Sequence, residues 1–528
     1  MKKLQVWLPL LFSLVLIGGM WIGSKLRMNI PFSRGIFESA RPSTVQEVMD
    51  LINLRYVDSV NKDSLSDDAV QAMLGHLDPH SIYIPANRLA EVNEDLQGNF
   101  EGIGVEYFIL NDTVYASNVL ADGPSDKAGI KTGDRFLKVG DSSVTGKDVN
   151  GDKIRKLLRG PSGSKVNVIL LRDGKQIATT VTRGTIPLYS VDASYMIGDS
   201  TGYIHLNKFS GTTYEEFMAA LEDLQKKGLK KLMLDLRDNG GGILGEAIDI
   251  ADEFLDDDKL IVYTQGSHSK KTEYRCKRPG LFEKGELVVL VDENSASASE
   301  VLAGALQDWD RATIVGRRTF GKGLVQEQYE LNNGSALRLT VARYYTPLGR
   351  NIQKPYDHGR AAYREELDNR YHNGEMIHGD SATTHTGPQF KTKKGKIVYG
   401  GGGITPDVFV PLDTTSLSKE TYQLLATPTF GKFIFTYFIQ HRDYFKQFKS
   451  PTELAKGFKP ENGAYANLVE FAAKNNINIQ NIPAKDKEDL MRRIQTAMAR
   501  QIWRMPGFYE VNNLYDNEVK KGTEILNK

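Results

Sequence analysis

The spacing of apolar residues divides the chain into four stretches. From 28 to 96, apolar side chains recur every three or four residues, as in VQEVMDLINLRYV, which predicts helices. From 97 to 185, short runs such as GIGVEYFIL and KVNVILLR are separated by glycine and aspartate turns, which predicts a compact β-rich module. From 186 to 412, strands such as KLMLDLR and ELVVLV alternate with amphipathic segments, the pattern of an α/β domain. From 413 to 528, helical spacing returns, so we expect a multi-domain α/β protein with helical ends.

The amino terminus carries a nearly uncharged run. Two lysines precede the run from Leu4 to Gly23, and Lys25 and Arg27 follow it. The run has about the 20 residues that a bilayer-spanning helix needs and is longer than a signal-peptide core. We therefore expect residues 1–27 to be a retained signal anchor, with secretion after signal cleavage as the alternative. The flanking charges are nearly balanced and do not orient the segment.

Composition excludes some classes of function. The chain has 67 basic and 66 acidic residues, so no net charge draws it to nucleic acid. Its one cysteine, Cys276, offers neither an intramolecular disulfide nor a thiolate cluster for a metal, and we interpret it as an incidental thiol.

The histidines follow no metal-binding template. His76 and His80 are four residues apart in LDPHSIY, but Pro79 interrupts the turn and no H-E-x-x-H is present, so a structural helix end is favoured. A polar stretch at about 354–400 is interpreted as an irregular insertion. It contains four more histidines, at His358, His372, His378 and His385. Neither a metal nor an organic cofactor is predicted.

The densest chemical signal begins at the strand ELVVLV and runs through DENSASASEVLAGALQDW. Helix formers from Ala298 to Trp309 put Ser297 in or just before the first turn of a helix. Free N–H groups and the positive end of the helix dipole favour negative charge developing there. The position suits a nucleophile, although a serine at a helix start commonly serves only as a cap.

Lys322 favours the interpretation of Ser297 as a nucleophile over that of a helix cap. It lies between two glycines in the uncharged run TFGKGLV. If the lysine is buried, desolvation lowers its pKa, and the neutral amine can take the serine proton as a general base. Gln326, four residues later, is placed to hydrogen-bond the amine. The alternative is a lysine that extends from a turn into solvent.

The third element is the glycine turn in DLRDNGGG, which follows a strand. Gly240, Gly241 and Gly242 expose backbone N–H groups that can supply an oxyanion donor beside the amide of Ala298 or Ser297. Phosphate is the alternative ligand, but neither a Walker A pattern nor a strict G-x-G-x-x-G is present.

An ordered set of motifs makes the chain resemble the carboxyl-terminal processing peptidases, or tail-specific proteases, of the S41 serine peptidase family. The motifs are LDPHSIY, the PDZ-like GIGV, YIHLNKFS, DLRDNGGG, SASASEVLAGALQD, TFGKGLVQ, ARYYTPLGRNIQ and GITPDV. They occur in matching order over roughly residues 40 to 412. The resemblance implies that Ser297, the second serine of SASAS, is the nucleophile, that Lys322 is the base, and that Gln326 orients the lysine.

The resemblance has further implications for the oxyanion hole and for the fold. It implies an oxyanion hole formed by the amide of Ala298 and by Gly241 or Gly242. It also implies a crotonase or ClpP-like α/β core with an inserted PDZ domain at 97–185.

GIGV is similar to a PDZ carboxylate-binding loop. Its residues are Gly102, Ile103, Gly104 and Val105. In such a loop, successive N–H groups hold a peptide carboxylate while the peptide adds a strand to the sheet edge. The expected substrates are proteins or peptides with free, apolar carboxyl termini.

Members of this family act outside the cytoplasm, which would place the catalytic domains on the periplasmic side of the cell membrane. The insertion at about 354–400 and the extension past Leu412 depart from the minimal family pattern. The binding of a regulatory partner protein is compatible with the sequence.

Three rival interpretations remain. A Ser–His hydrolase would use His205 on the YIHLNKFS strand. A penicillin-recognising enzyme would use the S-x-x-K at Ser162–Lys165 or Ser267–Lys270, but the K-T-G at Lys131–Gly133 precedes both, against the order of that family. A non-catalytic PDZ scaffold at the membrane would keep GIGV and lose the nucleophile or the base, whereas both are present here.

Overall fold

The computed structural model describes Trp7 and residues 12–21, 43–379, 387–414 and 416–528. Trp7 and residues 12–21 of the predicted anchor are helical, and the rest of 1–27 lies outside the described residues, as does His385. Within the described ranges, no helix is both long and apolar enough to cross a membrane.

The chain forms two compact units, Met1–Ala72 and Met73–Lys528. The first unit contains α1 (Thr44–Arg55) and most of α2 (Lys62–Gly75). The Ser43 side chain caps α1 by accepting the Gln46 N–H at 3.3 Å. Both helices lie where the sequence has helical spacing.

The second unit begins with a helix and the β-rich module. Its elements are β1 (Ile82–Ile84), α3 (Ala86–Gln97), β2 (Asn99–Gly102), β3 (Val105–Leu110), β4 (Thr113–Val119), α4 (Pro124–Lys127), β5 (Arg135–Val139), β6 (Ser142–Ser143), α5 (Gly151–Leu158), β7 (Lys165–Arg172), β8 (Lys175–Thr182) and β9 (Gly184–Pro187). The module sheet has the order β3-β4-β5-β7-β8, so β3 is an edge strand. The antiparallel pair β2 and β9 carries the chain into and out of the module.

The α/β region follows. Its elements are β10 (Val191–Ile197), β11 (Thr201–Leu206), α6 (Thr213–Lys226), β12 (Lys231–Asp235), α7 (Leu244–Asp252), β13 (Leu260–Gln265), β14 (Thr272–Arg275), β15 (Glu286–Val291), α8 (Ala298–Asp308), β16 (Thr313–Gly316), β17 (Leu324–Glu330), β18 (Ala336–Tyr345), α9 (Gly359–His372), α10 (Glu375–His378), β19 (Gln389–Lys391), β20 (Ile397–Tyr399) and β21 (Val408–Phe409).

A central sheet of order β10-β11-β12-β15-β16-β21 organises this region. The strands from β11 to β21 are parallel and β10 is antiparallel. Residues of α6, α7 and α8 pack on one face of the sheet. The other face packs against carboxyl-terminal residues, including Val519 and Leu526. Buried on both sides, the strands read as nearly continuous apolar runs, which is typical of parallel sheets.

The carboxyl-terminal extension is helical, as predicted. It contains α11 (Lys419–Ala426), α12 (Thr429–Gln440), α13 (Arg442–Phe445), α14 (Pro451–Gly457), α15 (Ala464–Lys474), α16 (Ala484–Asn512) and α17 (Asn517–Leu526). It has its own apolar core. Helix α16 is kinked, because Arg504 has non-helical dihedral angles and Pro506 follows it. The predicted multi-domain α/β fold class, with helical ends, is confirmed.

The insertion at about 354–400 is not irregular, and that expectation is wrong. It contains α9, α10 and the hairpin of β19 and β20. Helix α9 buries Tyr363 and Arg370 instead of an aliphatic stripe. The Arg370 guanidinium donates to the carbonyl oxygens of Thr319, at 2.8 Å, and Phe320, at 3.2 Å. A helix held by a buried arginine has no apolar period for the sequence to reveal.

Candidate active site

Ser297 lies directly before α8, at the carboxyl end of the β15 strand. Its dihedral angles are φ 57° and ψ −112°, a conformation that residues other than glycine rarely adopt. Such backbone strain persists only where the surroundings impose it, and it is concentrated at functional sites. The half-buried Ser297 is therefore held in a costly conformation at the positive end of a helix.

The carboxylate of Glu300 joins Ser297 to the lysine loop. It accepts the N–H groups of Ser297 at 2.9 Å, Lys322 at 2.8 Å and Gly321 at 2.8 Å, and the hydroxyl of Thr319 at 2.5 Å. Burial raises the pKa of Glu300, while these hydrogen bonds act in the opposite direction. Every hydrogen bond that the Glu300 side chain makes among the described residues is accepted, so the surroundings suit a carboxylate.

Tyr344 makes a second link between the same two residues. Its hydroxyl, which has one proton to share, lies 3.0 Å from the carbonyl oxygen of Ser297 and also within hydrogen-bonding distance of that of Lys322. Glu300 thus holds the amide nitrogens and Tyr344 the carbonyl oxygens of Ser297 and Lys322, which sets the position of one backbone relative to the other.

Lys322 and Gln326 are in contact, as the sequence predicts. Lys322 Nζ donates to Gln326 Oε1 at 3.1 Å. Burial lowers the pKa of Lys322, and the cation of Arg338 lowers it further. Among the described residues, no hydrogen bond joins Nζ to Ser297 Oγ. Catalytic hydrogen bonds are often long in a free enzyme and tighten around the substrate.

His80, interpreted from the sequence as part of a helix end, belongs instead to this site. Helix α2 already ends at Gly75. The His80 carbonyl oxygen accepts the Gln326 Nε2–H at 2.5 Å, and His80 Nε2 lies 2.7 Å from the Tyr363 hydroxyl. Burial and the Lys322 cation lower the pKa of His80 to about 4, so its ring is neutral at neutral pH.

The loop around His80 is fixed by Asp78 and by the insertion helix. Asp78 Oδ1 accepts the N–H groups of His80 at 2.8 Å and Ser81 at 2.9 Å. Arg360 of α9 donates to the Asp78 carbonyl oxygen at 2.7 Å. Helix α9 therefore contacts both the loop that orients Gln326 and, through Arg370, the loop that carries Lys322. No local pattern in the sequence indicates these contacts.

The glycine turn lies against Ser297. A Cβ atom at Gly241 would lie 2.7 Å from the Ser297 Cβ, and one at Gly242 would lie 2.0 Å from the Phe209 carbonyl oxygen. Only glycine fits at either position. The Gly241 N–H donates to Asn239 Oδ1 at 2.9 Å, whereas no such bond is present for the Gly242 N–H among the described residues. Which glycine complements the Ala298 amide stays a prediction.

The GIGV loop opens the edge strand β3. Ser125 Oγ donates to the Ile103 carbonyl oxygen at 2.6 Å, and the Leu120 N–H donates to that of Gly104 at 3.0 Å. Ile103 is buried together with Ile154 and Leu158 of α5. The loop is thus held by hydrogen bonds beside buried apolar side chains and the edge strand of the sheet, as a carboxylate-binding loop requires.

His205 and Cys276 lie elsewhere. The buried His205 ring stacks on Tyr509 with centroids 4.2 Å apart, and its Nδ1 lies 3.6 Å from Asp192 Oδ2. The structure does not bring His205 to Ser297. Burial raises the pKa of the Cys276 thiol to about 12, which suits an inert thiol.

Comparison with known proteins adds independent information. Family models match at residues 200–358 (Peptidase family S41), 101–182 (PDZ domain) and 421–504 (a family of unknown function, DUF8443). The chain is 32% identical over 386 residues to the carboxy-terminal-processing protease of Bartonella bacilliformis, covering 72% of this chain and 87% of that protein. It is 34% identical over 316 residues to the carboxy-terminal processing protease CtpB of Bacillus subtilis, covering 59% and 65%.

A solved structure of the photosystem II D1 C-terminal processing protease is 31% identical and has a TM-score of 0.34, covering 59% of this chain and 83% of that one. The family assignment rests on the identity and coverage of the Bartonella relative and on the two family models at the expected positions. This chain belongs to the S41 family of serine peptidases and carries an inserted PDZ domain.

Proposed function

We propose that this peptidase binds the free carboxyl-terminal tail of a protein substrate in its PDZ domain and hydrolyses peptide bonds with Ser297 and Lys322. The carboxylate of Glu300 carries the proposal, because it holds the backbones of both residues within one buried site. A strained serine at a helix start and a lysine with a lowered pKa are the two parts that a Ser–Lys hydrolase needs.

Neutral Lys322 accepts the proton of Ser297 Oγ as the oxygen attacks the scissile carbonyl carbon. The negative charge on the carbonyl oxygen is stabilised by the Ala298 amide and by Gly241 or Gly242. The Lys322 ammonium then protonates the leaving amine as the C–N bond breaks. Lys322 then takes a proton from a water molecule whose oxygen attacks the acyl carbon, the ester C–O bond breaks, and the lysine passes this proton to Ser297 Oγ as the acid product leaves. Gln326 orients the amine of Lys322 in each step.

Substrate tails are proposed to bind to the module as an added strand. The tail pairs with the edge strand β3, its carboxylate meets the N–H groups of Gly102–Val105, and its last side chain packs toward the apolar side chains of Ile103, Ile154 and Leu158. The apolar character of these side chains is the reason to expect an apolar last residue.

The experiment compares cleavage of an unstructured peptide with an apolar, free carboxyl terminus by the wild-type chain, Ser297→Ala, Lys322→Ala and Lys322→Arg. Each substitution is expected to reduce kcat about 1000-fold or more. Ser297→Ala removes the nucleophile and Lys322→Ala removes the base, whereas the arginine of Lys322→Arg stays protonated and cannot act as the base. Substitution of the exposed Lys485 by Ala is the control and should leave kcat unchanged. Cleavage by Ser297→Ala at the wild-type rate would show the assignment to be wrong. Tail binding without cleavage by the wild-type chain would indicate that a partner protein opens the site.

We also propose that the amino-terminal segment anchors the chain in the cell membrane with the catalytic regions on the outer, periplasmic side. The uncharged run from Leu4 to Gly23 supports the anchor. The orientation is supported by the extracytoplasmic location of the members of the family that this chain resembles. Added protease should degrade the chain in intact spheroplasts. Degradation only after lysis would contradict the proposed side, and recovery in the soluble fraction would contradict the anchor.

A further inference from the structure

The carboxyl-terminal helices pack against the outer face of the PDZ sheet. Phe435 of α12 contacts Phe108 of β3 and Tyr115 of β4, with ring centroids 5.9 and 5.6 Å apart. Arg504 of α16 forms an ion pair of 2.6 Å with Glu106 of β3. The carboxyl-terminal region that matches the family of unknown function therefore lies beside β3, the strand that receives substrate tails in the proposed function.

The two faces of β3 have different neighbours. Val105 and Tyr107 pack on the module core that contains residues of α5. Glu106 and Phe108 point the other way, toward α16 and α12. Because side chains alternate along a strand, a tail paired with β3 presents every second side chain to α5 and the others to the carboxyl-terminal helices.

A cavity of about 1100 Å³ lies where those other side chains would project. Its lining includes the β3 residues 105–108 and, from α16, Arg493, Arg500 and Arg504. Arg500, in the regular part of α16, and Arg504, at its kink, both line this cavity. The cavity thus extends from a free sheet edge to a basic helix face.

Most of the charges around this cavity are already paired. Arg504 pairs with Glu106, and Arg493 pairs with Asp489 at 2.6 Å. The side chain of Arg500 makes no ion pair or hydrogen bond among the described residues. Arg500 is therefore the cation that an incoming carboxylate can meet without breaking an existing pair.

Two lining carboxylates at the start of α17 are also held. Asp516 lies 2.9 Å from Arg237, and Glu518 lies 2.5 Å from Arg317, both arginines of the central sheet region. These pairs reduce the repulsion that Asp516 and Glu518 would exert on an acidic tail.

We propose that the carboxyl-terminal helical region is part of the substrate-binding site. In this assignment, Arg500, beside Arg504, selects tails with an acidic residue second or fourth from the carboxyl terminus. The last and third residues face the apolar side chains on the α5 side of β3, away from Arg500. The proposal rests on the proposed mode of tail binding and adds a specificity that the PDZ domain alone does not have.

The test uses the full chain in detergent, with Ser297→Ala to prevent cleavage, and fluorescently labelled ten-residue peptides that end in valine. Each peptide carries Asp or Asn at the second, third or fourth position from the end. The readout is the ratio of the Kd values of the Asn and Asp peptides at each position. Arg500→Gln removes the charge and Arg500→Glu reverses it. Lys485→Glu, on the same helix but outside the cavity lining, is the matched control.

Asp is expected to bind about two- to fivefold more tightly than Asn at the second or fourth position, the range of an exposed ion pair. The preference should vanish in Arg500→Gln, invert in Arg500→Glu, weaken as salt is raised from about 50 mM to about 500 mM, and persist in Lys485→Glu. An unchanged ratio in Arg500→Glu, an equal change in Lys485→Glu, or the same Arg500-dependent preference at the third position would overturn the proposal. If neither peptide binds and amidation of the terminus makes no difference, the proposed tail binding itself is wrong.

Discussion

Replacement of Glu300 by glutamine tests whether one buried carboxylate holds the nucleophile and the base in position. Its Oε1 accepts from Thr319 and Gly321, and its Oε2 accepts from Ser297 and Lys322. Glutamine keeps one accepting oxygen and puts an NH₂ group in place of the other. If that group replaces Oε2, the N–H groups of Ser297 and Lys322 both lose their acceptor.

The magnitude follows from the burial of this site. A buried donor left without a partner costs about 1–3 kcal/mol, so two such donors destabilise the local structure by about 2–6 kcal/mol. A displacement of about 1 Å in a reacting group lowers the rate about 100-fold. We therefore expect Glu300→Gln to lower kcat about 100-fold with a smaller change in KM, because in the proposed function tails bind to the PDZ strand β3, to which Glu300 makes no hydrogen bond among the described residues.

The assay combines peptide turnover with hydrogen–deuterium exchange of the segments that contain Ser297 and Lys322. Exchange at both amides should accelerate in Glu300→Gln. Glu470→Gln, an exposed substitution on α15, should change neither measurement. Unchanged exchange at both amides together with wild-type kcat would refute the positioning role of Glu300. Faster exchange throughout the chain would indicate general unfolding instead.

Two further predictions concern Lys322 and its neighbours. The Arg338 cation lowers the pKa of Lys322, so Arg338→Gln should raise that pKa and move the alkaline rise of kcat/KM, which follows deprotonation of the base, to higher pH. A pH profile with an unmoved midpoint would contradict this, and Lys485→Gln is the charge-matched control. Tyr363→Phe removes the hydroxyl 2.7 Å from His80 Nε2 and should lower kcat about two- to tenfold, the net value of one hydrogen bond. Tyr422→Phe, at an exposed tyrosine of α11, is the matched control. An unchanged kcat in Tyr363→Phe would show that this contact does not help to orient Gln326.

The insertion shows where apolar periodicity fails as a guide. Helix α9 presents arginines to backbone carbonyl oxygens, and Arg370 is almost wholly buried among them. Its mixture of charged residues resembles a solvated loop in the sequence. The structural cause is that a guanidinium with several carbonyl acceptors can be buried where an aliphatic side chain normally would be.

The sequence by itself determined the order of the domains, the strand-to-helix position of Ser297, the place of Lys322 between glycines, and the reach of Gln326 to the lysine amine. These features depend on residues that are close in the chain, and local periodicity and spacing express them directly.

Tertiary structure alone decided which distant segments complete the sites. His80 meets Gln326 across 246 residues, and Glu106 meets Arg504 across 398. Such contacts leave no local pattern, because they depend on how whole elements pack against one another. The same limit applies to Arg500, whose charge has no evident role in the sequence and gains one only when α16 lies beside the free edge of β3.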